Sequence, residues 1–243
     1  MSESVSCLHD YSLNVAQVKA IEAADIVVVS GAGLEEFMED VLADKPAIDA
    51  SENIPLIEPE EHHHGHEHEE ESHEDHHHEE DPHIWLSPEN AKLMARNICD
   101  GLSRQYPQHA ALFAENLDVL IEDLDALYIY GQRALEELSC RELITFHDGF
   151  AYLADCYDLE IIRAVEEESG SEASAAELVH LIQLVQEHRL PAIFTEINGS
   201  VSAAGIIARE TGVGSFALDM AMGGDSYFEA MHHNIDPLKE ALE

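Results

Sequence analysis

From Glu142 to Asp219 the chain repeats one pattern: a short run rich in β-branched and aromatic residues, then a longer stretch with helical periodicity. ELITF, EIIRAV, PAIFTE and GSFALD are the runs, and DGFAYLADCY, AELVHLIQLVQEH and SVSAAGIIARETG are the stretches that follow or separate them. Strands kept apart by helices cannot pair through hairpins, so they are expected to lie parallel in an α/β lobe of about a hundred residues. A sheet of that kind receives its ligands at the carboxyl ends of its strands. Ser174 and Glu177 carry a capping-box signal ahead of the second stretch. The tail DSYFEAMHHNIDPLKEALE reads as a closing helix.

The opening of the chain follows the same pattern less fully. LNVAQVKAIEAA places Val15, Val18, Ile21 and Ala24 on one helical face, and it leads through Asp25 into IVVVS, a continuous apolar strand of the buried parallel kind. Gly31 and Gly33 turn the chain into LEEFMEDVLA, and NIPLI, from Asn53 to Ile57, reads as a further strand. GAGLEE lacks the third glycine and the distal acid of a dinucleotide fingerprint, so these glycines are read as turn formers. Two clear strands are too few for a stable parallel core. Either residues 1–7 are expected to pair as an edge strand, or further chain is expected before Met1.

SPENAKLMARNICDGLSRQ opens at a Ser-Pro start and closes before Tyr106, and Pro107 suits the first turn of a new helix. From there to Leu138 one stripe runs unbroken through Leu117, Leu120, Ile121, Leu124, Leu127, Tyr128, Ala134, Leu135 and Leu138. About thirty residues at 1.5 Å each predict a rod of roughly 45 to 50 Å. The expected organisation is a first lobe over 1–106, a linking helix over 107–139 and a second lobe over 140–243.

Within the first lobe, the loop over 60–82 holds the tract EEHHHGHEHEEESHEDHHHEEDP, which leads straight into His83. His62, His63, His64, His66, His68, His73, His76, His77 and His78 alternate there with carboxylates, so nitrogen and oxygen ligands stand within a few bonds of one another. The tract is expected to collect divalent metal ions weakly. Unlike a tag, it lies inside the chain and runs on into HIWLSP. With 11 basic against 51 acidic residues the formal charge is −40, which repels phosphate backbones and anionic lipid. A cation is the natural counterpart, and no nucleic-acid partner is expected. No run of about eighteen apolar residues occurs, and no basic and apolar export signal opens the chain. Cys7, Cys99, Cys140 and Cys156 lack the paired spacing of a zinc ribbon, leaving buried thiols or one or two disulfides, with Cys7 a thiolate candidate beside His9.

Four more candidates stand at junctions: His9 ahead of the first helix, His83 in DPHIWLSP, His147 in TFHDGF and Asp219 at the end of SFALD. Each alone is an ordinary surface or capping residue. Together they amount to three imidazoles and one carboxylate, a set that satisfies tetrahedral zinc at about 2.0 to 2.2 Å per bond.

HDYSLNVAQVKAIEAADIVVVSGAGLEEFMED, DPHIWLSPENAK, ITFHDGFAYLADCYDL, IFTEINGSVSAAGIIARETG and FALDMAMGGDSYFEAMHHNI resemble the zinc and manganese solute-binding proteins of bacterial ABC importers, the cluster A-I metal receptors. The likeness covers nearly the whole chain, and DPHIWLSP is its most specific motif. The resemblance implies an α/β protein of two Rossmann-like lobes with parallel sheets, joined by one long α-helix, with the metal in the cleft between them. It carries ligand roles onto His9, His83, His147 and Asp219, with Glu196 of FTEING as an outer partner or alternative ligand. A histidine at 147 and an acidic His-rich loop are the zinc traits, so Zn²⁺ is expected in preference to Mn²⁺. It further implies a monomeric receptor, not an enzyme, outside the cytoplasm, periplasmic or as a surface lipoprotein, delivering metal to a permease and its ATPase; adhesion is a related role. The strand, helix and strand that precede HDY in this family are absent from this sequence, so a truncated first lobe is expected. Two other classes compete: a zinc hydrolase using Glu196 as general base, and a zinc buffer in which the tract alone matters.

Overall fold

A computed structural model describes residues 13–57, 80–165, 173–197, 199–223 and 226–243. The first helix, α1 (Val15–Ala23), starts where Asn14 and Gln17 form a reciprocal capping box, each side chain accepting a backbone N–H of the other. Strand β1 (Val27–Val29) pairs in parallel with β2 (Ala47–Asp49), with α2 (Glu39–Leu42) and a preceding 3₁₀ turn between them. Neither α1 nor β1 is covered as expected. No residue of α1 is buried, and Val15 and Val28 are exposed.

The strand expected at Asn53–Ile57 is not one; the partner of β1 lies earlier, at Ala47–Asp49. Pro55 has no N–H to give a ladder. The segment is instead held by side chains from elsewhere: Ile54 is buried against Ile84 and Tyr152, and the Ile57 N–H donates to the Tyr152 hydroxyl at 2.9 Å. Helix α3 (Pro88–Gln105) begins where the Ser-Pro signal placed it, with the Ser87 Oγ accepting the Asn90 N–H. It lies close on β2 at Gly101, where an added Cβ would sit 2.6 Å from Ile48 Cδ1.

The expected rod is shorter and less buried than its stripe suggests. A 3₁₀ turn (Pro107–His109) precedes α4 (Ala110–Ala134), whose 25 residues span roughly 37 Å. Its buried positions, Leu124, Leu127 and Gly131, all fall in its second half, and Leu120 is 38% exposed. Beyond Ala134 the helix ends as Arg141 takes up the carbonyls of Leu135 and Glu136. Orphan carbonyls at a helix end need such donors.

The second sheet has the parallel order β4-β3-β5-β6, built from β3 (Glu142–Thr145), β4 (Glu160–Ala164), β5 (Ala192–Glu196) and β6 (Gly214–Leu218). Helices α5 (Ala151–Cys156), α6 (Ala175–His188), α7 (Ser202–Thr211) and α8 (Tyr227–Leu242) complete the pattern. Ser174 caps α6, accepting the Glu177 N–H. Side chains leave the strands alternately. Leu143 and Phe194 enter a core with Leu127 of α4 and Met231, Ile235 and Leu238 of α8. Ile144 and Ile193 face the opposite way, into a core with Leu181 and Val185 of α6 and Ile207 of α7. The first core also takes in Leu86 from the DPHIWLSP motif, so the two halves of the sequence share one interior.

Successive strands pass from β3 outward to β4, then return to the other side of β3 as β5. The connections therefore diverge between β3 and β5, which opens a crevice at the carboxyl ends of those strands. No helix among the described residues is long and apolar enough to cross a membrane.

The burial of α4 gives a direct comparison. Leu124→Ala is expected to cost about 2 to 5 kcal/mol in urea unfolding, as for a well-packed core leucine. Leu120→Ala, on the same predicted stripe, is expected to cost less than about 1 kcal/mol.

Candidate metal centre

Residues from both halves meet over the crevice. His83 stands just ahead of a 3₁₀ turn (Ile84–Leu86) and is only 3% exposed. A single oxygen, Asp81 Oδ1, accepts its backbone N–H at 2.9 Å and its Nδ1–H at 2.7 Å. A carboxylate can only accept, so it holds the proton on Nδ1 and leaves Nε2 as the lone-pair nitrogen of the ring. The turn itself is tied to the second half. Trp85 Nε1–H donates to the Met220 carbonyl at 2.7 Å, and the Tyr227 hydroxyl donates to the Trp85 carbonyl at 2.8 Å.

His147 follows β3, at the divergence point of the sheet. Its ring meets that of His83 edge to face, with centroids 5.3 Å apart and planes at 82°. Gly149 makes room for this arrangement: a Cβ there would lie 2.7 Å from both His147 Cδ2 and Met220 Cε. The glycine of TFHDGF is thus explained by close approach rather than by turn geometry.

Glu196 ends β5, the other strand of the divergence point. Its carboxylate Oε2 lies 3.7 Å from His147 Nδ1, an ionic rather than a hydrogen-bonded distance. Burial pushes the Glu196 carboxyl above its ordinary range; His83 opposes that shift and the carboxylate of Asp219 adds to it. Asp219 begins the loop after β6. Its backbone is clamped by the fully buried Asn234 of α8, whose Oδ1 accepts the Asp219 N–H at 2.6 Å and whose Nδ2 donates to the Asp219 carbonyl at 2.7 Å. The Asp219 Oδ1 accepts the Ala221 N–H at 2.8 Å.

His83, His147, Glu196 and Asp219 therefore gather at the carboxyl end of the sheet, two imidazoles among carboxylates. Among the described residues, however, no three His, Cys, Asp or Glu side chains are grouped closely enough to hold an ion as they stand. His9 and the nine tract histidines from His62 to His78 lie outside the described residues. Cys99, Cys140 and Cys156 are free thiols, and burial first of all pushes that of Cys156 up to about 11. Such a thiol is a poor thiolate ligand. The sequence alone gives neither Asp81 nor Asn234 a role. The Asp-x-His spacing and an asparagine amid the apolar positions of α8 were the only signals for them.

A two-sheet α/β architecture with a long helix is that of the two-lobed solute-binding proteins. The chain belongs to the ZnuA family, the zinc-uptake complex component A, periplasmic, whose pattern matches residues 1–241. It is 31% identical over 251 residues to the zinc-binding protein AdcA of Streptococcus pyogenes serotype M3, covering 95% of this chain and 49% of that protein. The chain thus spans about half the length of the AdcA relatives it matches. A crystal structure of ZnuA superposes with a TM-score of 0.83 at 28% identity, covering 98% of this chain and 87% of the other. Zn(II)-bound AdcA from Streptococcus pneumoniae gives a TM-score of 0.78 at 27% identity, covering 96% and 50%.

The raised carboxyl of Glu196 fixes the sign of a pH effect. Its ionisation costs more in the folded than in the unfolded chain, so the penalty is absent below the ordinary 4.5 and complete above the raised value. Glu196→Gln is expected to raise the urea midpoint of the metal-free protein at pH 7 and to lose that advantage as the pH falls towards 4.5. Wild type gaining on the variant with rising pH would contradict this account.

Proposed function

We propose that this chain is the metal-capturing receptor of an ABC importer, binding Zn²⁺ outside the cytoplasm and passing it to a membrane permease driven by an ATPase. The observation that carries this reading is the edge-to-face meeting of His83 and His147. Chain segments on either side of α4 supply them, at the carboxyl ends of a parallel sheet and with Glu196 and Asp219 nearby. Imidazole nitrogens with one or two carboxylates suit zinc better than manganese, which favours oxygen donors. In this reading His83, His147 and Asp219 are ligands, His9 is the third imidazole, and Glu196 steadies His147 through Nδ1. Binding is the end point; the chain is a receptor and not a catalyst. The three-part division at 106 and 139 follows, with the ion held where the lobes face each other.

The tract from His62 to His78 serves the same cargo differently. Many weak ligands on one short segment raise the local ion concentration beside the tight site. Loading and tight holding are then separate properties.

Zinc titration against a competing chelator tests the assignment. His83→Ala and His147→Ala are each expected to abolish the tight component, while deletion of residues 61–80 removes only the weak one. Loss of tight binding on that deletion, with the two alanine variants unaffected, would place the site in the tract and overturn the reading. Because imidazoles coordinate only when neutral, the tight affinity is also expected to fall as the pH drops below about 6.5.

A further inference from the structure

One buried phenol is bonded to both chain segments that meet at Asp81, the partner of His83. Tyr152, on α5, is 3% exposed and packs with Ile54 and Ile84. Its hydroxyl accepts the Ile57 N–H at 2.9 Å and donates to the Asp81 carbonyl at 3.0 Å. Ile57 and Asp81 are also joined directly, the Asp81 N–H donating to the Ile57 carbonyl at 3.2 Å. The three groups close a small hydrogen-bonded ring with Tyr152 as the member from the second half of the chain.

Asp81 depends on that ring. Its Oδ1 carries both bonds to His83, and its Oδ2 is buried with no hydrogen-bond partner among the described residues. Among the described residues, the carboxylate is therefore held in position by its own backbone. That backbone is held at the N–H by Ile57 and at the carbonyl by Tyr152. Tyr152 also stands five residues after His147 in sequence, at the start of the helix that His147 leads into. A shift of α5 is therefore felt at both imidazoles.

We propose that Tyr152 is a positioning residue for the metal site: acting through the Asp81 backbone, its hydroxyl sets the orientation of the His83 imidazole relative to His147. This rests on the reading of His83 and His147 as zinc ligands. The residue touches no metal. It fixes the carboxylate that fixes the ring, and outer partners of a ligating histidine typically change metal affinity by about 10- to 100-fold.

Tyr152→Phe keeps the ring in its apolar cluster and removes only the hydroxyl. Zinc affinity by chelator competition, and the visible absorption of the Co²⁺-loaded protein, are measured for wild type, Tyr152→Phe, Asp81→Asn and the double variant. Ile54→Val loosens the same cluster and serves as the packing control. Each single variant is expected to weaken zinc by about 10- to 100-fold and to alter the Co²⁺ spectrum, with the double variant little worse than the weaker-binding single. The control is expected to leave affinity and spectrum in place. Unchanged affinity and spectrum in Tyr152→Phe, fully multiplicative losses in the double variant, or an equal loss in Ile54→Val would each overturn the inference. If wild type itself shows no tight zinc and no tetrahedral Co²⁺ spectrum, the ligand reading fails first, and this one with it.

Discussion

The arrangement depends on the seating of four residues, His83 to Leu86, against the second half of the chain. Leu86 is buried in the core beneath the four-stranded sheet, Ile84 is buried with Ile54 and Tyr152, and Trp85 is hydrogen-bonded at its indole nitrogen and at its carbonyl. Burying a leucine and an isoleucine is worth about 1.5 to 3 kcal/mol each, which is ample to keep so short a turn in place. The polar tethers add direction to that adhesion. They bring the turn to Met220 and Tyr227, the stretch that also carries Asp219, so the packing of an apolar phrase fixes where an imidazole stands.

The second constraint is topological. A parallel sheet whose connections diverge between β3 and β5 leaves a gap that no crossover covers, and His147 and Glu196 are the residues at its edges. The carboxylate-rich surroundings come at a local cost. Glu196 is held in a buried place where its charge is unwelcome, with Asp219 adding to the repulsion. A cation placed beside the two carboxylates would relieve both effects.

Much of this was legible in the residues. The strand and helix alternation of the second half, the Ser-Pro start of α3 and the capping at Ser174 are local signals, decided by hydrogen bonds within a few residues, and the structure has each of them in place. Local pattern misleads where a distant partner intervenes. NIPLI looks like a strand, but Pro55 and the hydroxyl of Tyr152 take it out of the sheet. The stripe along α4 is real, yet only its second half finds a core to enter, because apolar spacing shows which face of a helix can be buried and not how far the neighbouring elements reach.

By itself the sequence determined the class of the fold, the four junction residues worth watching and a preference for cations, since composition, periodicity and strand ends are properties of neighbouring residues. Tertiary structure alone decided which residues hold or make room for those candidates: Asp81 behind His83, Asn234 behind Asp219, Gly149 beneath His147 and Tyr152 behind Asp81. Except for Asp81 and Gly149, these supports lie far along the chain from what they support. Their partnerships come from the closure of the core, a long-range event that no short window of sequence records.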